Sequence, residues 1–124
     1  MMTDLPQRRE SWTLPALTQF DFHARIAIMP GTTLVMFGSP ACGACRHLRR
    51  VFREVGRLEP AWQLFEVDAE TEPGLTNEFE VFHLPTVFLF RDGEFHCELE
   101  AEARPLGIVA ATHAAMQQPA REAP

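Results

Sequence analysis

The sequence predicts an α/β fold, a central mixed β-sheet with helices on both faces. Three observations lead there. Short apolar, β-branched runs alternate with stretches of helical period, an Asp92-Gly93 pair between two such runs marks a tight hairpin, and the chain has 124 residues, 46% of them hydrophobic, enough for one core and too few for two. Alternating strands and helices favour a mostly parallel sheet, and the Asp-Gly hairpin adds an antiparallel pair at one side.

Taken in order, residues 1–10 are polar, carry Pro6 and read as a flexible N-terminus ahead of a single domain over 11–116. A first strand is expected within Trp12–Leu17. Thr18 is placed to cap a helix to about Ile28 that turns Phe20, Ala24 and Ala27 inward, and Pro30-Gly31 stops it. Thr32–Gly38, TTLVMFG, reads as a buried strand. From Cys42 the period becomes helical, with Leu48, Val51, Phe52 and Val55 on one face and five arginines on the other. Trp62–Asp68 alternates as a strand, and a short helix follows to about Phe79. Thr86–Phe90 and Phe95–Leu99 flank the Asp-Gly turn. Pro105 opens a last helix expected to bury Leu106, Val109 and Ala110, and 117–124 reads as a flexible C-terminus.

Composition removes several function classes. No run of about 18 apolar residues exists, so no spanning helix and no membrane role are expected. The N-terminal MMTDLPQRRESW lacks an apolar leader segment, which points to a cytoplasmic location. Net charge is −6, against nucleic acid as a partner, since phosphate binding needs surplus cations. All 11 cations are arginine, so lysine Schiff-base chemistry is excluded. Charge is divided: residues 46–57 hold five Arg and one Glu, while 66–102 hold eleven acids and only Arg91. Ordinary solvated faces account for this, and steering of basic partners is the functional alternative.

The three cysteines are Cys42, Cys45 and Cys97. The pair Cys42-Gly43-Ala44-Cys45 falls where a buried strand gives way to a helix, an exposed junction. Unpaired amides and the helix dipole there favour a thiolate on Cys42, with Arg46 one turn on as a possible aid. Cys45, three residues later, shares the helix face and comes within reach of a disulfide. Gly43 and Ala44 are small enough for a partner's backbone to approach. The alternatives are two small core residues, a zinc site lacking a second Cys-x-x-Cys, or a metal shared between two chains. His47 is expected to be a solvated helix residue, His83 to touch a substrate or sit on a loop rim, and Cys97 to be structural, with His96 on the opposite face of its strand.

The stretch TTLVMFGSPACGAC at 32–45, with FEVDAE at 65–70 and LPTVFLFRDGE at 84–94, resembles the thioredoxin family over about 80 residues. The resemblance implies the thioredoxin fold, a cis Pro85 in Leu84-Pro85-Thr86, and a dithiol–disulfide oxidoreductase. Cys42 and Cys45 would be catalytic, with Ala41, Gly43, Ala44, Leu84 and Pro85 binding the substrate. It implies no cofactor beyond the redox disulfide, disulfide-containing client proteins, and a thioredoxin-reductase-like electron donor. Five positions depart from the family pattern: Ala41 stands for the usual Trp, Ala44 for the Pro between the cysteines, Met36 for a buried Asp, Leu64 for a Lys near it, and Arg50 for a mid-helix Pro, which implies a straighter helix. Met36 and Leu64 together predict a slower or solvent-assisted resolving step, and Ala41 and Met36 support a rival reading, an interaction module with redox-silent or regulatory cysteines.

Overall fold

A computed structural model gives the fold and describes residues 14–124. The N-terminal segment 1–10 and the start of the expected first strand, including Trp12, lie outside the described residues. The elements are α1 (Phe22–Ala27), β1 (Thr32–Gly38), α2 (Gly43–Leu58), β2 (Gln63–Asp68), α3 (Pro73–Glu78), β3 (Thr86–Arg91), β4 (Glu94–Leu99) and α4 (Pro105–Met116).

The strands form one sheet in the order β2-β1-β3-β4. Only β1 and β2 run parallel among these strands, while β1–β3 and β3–β4 are antiparallel, so the sheet is mixed as expected, but its pairs are mainly antiparallel and not mainly parallel. The reason is length. The 16-residue α2 spans about 24 Å and carries the chain back along the whole sheet. The six-residue α3 spans only about 9 Å, so β3 starts at the end where β2 stopped. Phe37 therefore pairs with Thr86, and the loops after β1 and before β3 emerge at the same edge. This single feature of topology builds the site.

Of the expected first strand, the described part contributes one parallel bridge, Ala16 to Glu66. Leu17 N–H donates to the Glu66 carbonyl and Glu66 N–H to that of Pro15, both at 2.9 Å. Pro15 has no N–H to extend the ladder.

Two cores lie on the two sheet faces. Leu34 and Met36 of β1 meet Cys45, Leu48, Phe52 and Val55 of α2 and Ile108 of α4. Val35 and Phe37 meet Phe22 and Ile26 of α1, Leu75 of α3, and Phe79. Two helix faces differ from expectation. In α1 it is Phe22 and Ile26 that are buried, and Phe20 is 89% exposed. The Thr18 hydroxyl accepts from the Phe20 and Asp21 amides and holds residues 18–21 as a turn, so Phe20 precedes the helix. In α4, Ile108 and Thr112 face in and Leu106 is 69% exposed, because a segment apolar on every side gives periodicity nothing to choose between.

At the hairpin, Asp92 and Gly93 both adopt positive φ, 51° and 85°, as a tight turn of this hand requires. A Cβ on Gly93 would stand 2.5 Å from the Ala27 carbonyl oxygen. Gly93→Ala is therefore expected to lower stability by about 2 kcal/mol or more, since the left-handed backbone and the clash with main chain act together. Urea unfolding checks this through a lower midpoint at unchanged slope.

Candidate active site

Gly38 ends β1, Ser39 is buried, and the chain turns through Pro40 and Ala41 into α2. Cys42 is the N-cap residue. Its backbone is extended (φ −89°, ψ 115°) and its sulfur accepts the Cys45 N–H at 3.1 Å, satisfying an amide that the helix leaves unpaired. Once the pair is reduced, an amide donor and the helix dipole at this position favour the thiolate of Cys42 over its thiol. The Arg46 side chain is anchored by donation to the Pro40 carbonyl at 3.0 Å. Its guanidinium lies 3.7 Å from the point where a Gly43 Cβ would stand, which adds positive charge beside the pair.

Cys42 and Cys45 are joined as a disulfide with their Cα atoms 5.2 Å apart. The two sulfurs are not equivalent. Cys42 is half-buried, and Cys45 is 0% exposed. The expectation that the junction exposes both is corrected for Cys45: it belongs to the stripe of Leu48, Phe52 and Val55 that packs under the sheet.

Sequence reasoning missed what touches Cys45. A Cβ at Gly38 would lie 3.0 Å from the Cys45 sulfur and 3.2 Å from the Met36 terminal methyl. The strand end thus needs glycine so that its backbone can pass beside the buried sulfur, and an apolar thioether lies against the same spot. The signal was present, a glycine closing an otherwise branched strand, but its partner lies seven residues away across a loop.

The segment before β3 completes the site. The Leu84–Pro85 peptide is cis, as the resemblance implied. Leu84 packs against both core clusters, on the first of which Cys42 also packs. Thr86 donates its hydroxyl to the His83 carbonyl at 2.7 Å and closes the turn. Ala41, Gly43 and Ala44 are exposed around the sulfur, and Leu84 and Pro85 are half-buried. His83 is exposed, on the rim of a groove of about 280 Å3 that Pro85 also lines. His47 is solvated as expected, and its Nε2 also hydrogen-bonds the Ala103 carbonyl at 3.0 Å, tying the segment between β4 and α4 to the first turn of α2.

Cys97 and His96 correct a further expectation. A register shift falls between Leu89 and Phe90, which pair with Cys97 and Phe95. His96 is the extra residue of this bulge, so strict alternation fails. Its Nε2 bonds the Ala115 carbonyl of α4 at 2.8 Å, and Cys97 packs on the cluster that α4 covers. Both therefore lie toward α4. Burial pushes the Cys97 thiol pKa up, with nearby Arg121 opposing and Glu98 reinforcing the shift. Cys97 is accordingly expected to react with iodoacetamide more slowly than a free thiol at pH 8–9, with the difference vanishing in denaturant. Mass spectrometry of timed, quenched samples reads it directly.

Comparison with known proteins gives one family throughout. The thioredoxin family model matches residues 13–113. Protein disulfide-isomerase A3 of Gallus gallus is 35% identical over 79 residues, 63% of this chain but only 16% of that much longer protein. A thioredoxin of Staphylococcus epidermidis is 30% identical over 79 residues, 63% of this chain and 74% of its own length. Among solved structures, oxidised mitochondrial thioredoxin 3 of Saccharomyces cerevisiae superposes with a TM-score of 0.70 at 22% identity, covering 87% of this chain and 99% of its own.

Proposed function

The chain belongs to the thioredoxin family, and on that premise we propose that it is a protein-disulfide reductase working by dithiol–disulfide exchange through Cys42 and Cys45. The observation carrying this reading is the asymmetry of the pair: a half-buried sulfur at a helix N-cap bonded to a fully buried one. In the reduced protein the Cys42 thiolate attacks a client disulfide. A Cys42–client bond forms, the client S–S bond breaks, and one client sulfur leaves as a thiolate. Cys45, once deprotonated, then attacks the Cys42 sulfur and expels the second client thiolate. Two electrons pass to the client, and the Cys42–Cys45 disulfide remains. Resetting it requires an external dithiol, supplied in the cell by a thioredoxin-reductase-like donor. The cytoplasm, where thiols are kept reduced, suits this direction.

Burial suits Cys45 to its part, because it needs to meet only Cys42 and is shielded from other oxidants. Removing its proton in an apolar pocket is the difficult step. Met36 offers no base, so resolution depends on water or on the departing thiolate. The alternative of an interaction module with silent cysteines draws on Met36 and on the missing aromatic at Ala41. Reduction of insulin with dithiothreitol as electron source separates the two. Catalysis well above the dithiothreitol background is expected, and a rate equal to that background would leave the module.

A further inference from the structure

The groove beside the cis proline carries charge that exchange chemistry alone does not use. Leu48, Pro85 and Ile108 supply its apolar lining, and His83, Glu98 and Glu100 its polar part. Neither cysteine lines it, but Leu48 follows Cys45 in the buried stripe of α2, and Pro85 follows Leu84, which packs on the same cluster as Cys42. Its far side, the segment carrying Ala103, is held by the His47 bond. Glu98 and Glu100 alternate along and just past β4, both are exposed, and among the described residues neither forms an ion pair. The neighbouring Glu102 is matched by Arg104 at 2.6 Å, and that guanidinium holds the Glu102 carboxyl pKa below its usual value. Glu98 and Glu100 thus stand at the groove without an ion pair where Glu102 has one, and both also line a second cavity that Arg121 shares. On the helix side of the pair stands the cation Arg46.

We propose that this groove receives the client chain next to its reacting cysteine and selects clients that carry arginine or lysine there. The inference rests on the reductase reading and deepens it by naming the substrate class. An unpaired acid on a wet rim adds little to static affinity but accelerates encounter with basic partners and rejects acidic ones. The apolar lining takes the aliphatic stem of a long basic side chain while its charged end stays in water beside Glu98 and Glu100.

The test uses synthetic disulfide-linked peptides that differ only in Arg, Ala or Glu beside the cysteine, first on one flank and then on the other. Each reduction rate is divided by that of hydroxyethyl disulfide on the same protein sample, so losses in folding cancel. Arg peptides are expected to react about tenfold faster than Glu peptides at low salt, with the ratio shrinking as salt rises. Glu98→Gln with Glu100→Gln should bring the ratio near one, and Glu98→Arg with Glu100→Arg should invert it. Equal rates in the unaltered protein, or a preference surviving both double variants, would overturn the proposal. Failure to reduce any disulfide, hydroxyethyl disulfide included, would instead remove the reductase reading. Association rates of matched peptides carrying Ser for Cys then decide the groove alone: Arg faster than Glu at low salt, lost in Glu98→Gln with Glu100→Gln, sustains it, and no difference ends it.

Discussion

Cys42→Ser is expected to abolish disulfide reduction, lowering the rate about a thousandfold or more, or about 4 kcal/mol of barrier. A serine hydroxyl at neutral pH is neither ionised nor a competent nucleophile toward sulfur, and the helix N-cap that favours a thiolate cannot overcome that. Cys45→Ser should behave differently. Cys42 stays partly exposed and able to attack, but nothing buried behind it can displace the client. The mixed disulfide should then accumulate and appear on non-reducing gels as adducts of one client per chain. Adducts that persist when Cys42 is also replaced would assign the reactivity to Cys97 and count against the mechanism. The buried position raises a control. A serine hydroxyl in the pocket between Gly38 and Met36 lacks an assured partner, so Cys45→Ala should accompany it, and the two should trap alike.

Much of this site could be read from residues 32–45 and 84–86, for physical reasons. A buried strand, a Cys-x-x-Cys at the start of an amphipathic helix and a proline opening a second buried strand are local signals. The short connection through α3 then carries them to one sheet edge. What escaped was set by partners distant in sequence. The burial of Cys45 follows from the stripe that it shares with Leu48 and Phe52, a stripe visible in the period but extending one turn further back than the motif suggests. The bulge at His96 could not be read because β3 is apolar on both faces, so no alternation fixes which residue of β4 is the extra one. The segment after α4 gave no hint that the Arg121 N–H donates to the His96 carbonyl on the outer edge of β4, at 2.7 Å. Main-chain pairing leaves no mark on side-chain pattern.

Phe79→Ala is expected to be among the most destabilising single changes in the chain. Phe79 is buried just past α3, and its ring centroid lies 5.2–6.4 Å from those of Phe22, His23, Phe37, Phe88, Phe90 and Phe95. Its ring meets rings from α1, β1, β3 and β4 at once. Truncation removes the transfer energy of a phenyl ring and leaves a cavity walled by rings on separate elements, which cannot all move in to fill it. A loss of about 3–5 kcal/mol follows, a large share of the 5–15 kcal/mol typical of a domain. Phe79→Leu, which keeps most of the volume, should lose less than half as much. The effect should reach the site by a stated route. Phe79 begins the stretch that leads to Pro85, and Leu84 packs on the same cluster. In conditions where Phe79→Ala remains folded, amide exchange should therefore rise in 80–85 while the first turn of α2, packed on the opposite sheet face, keeps its protection. Uniform loss of protection across both segments would mean that the two faces unfold as one unit and that Phe79 has no local hold on the cis-proline segment.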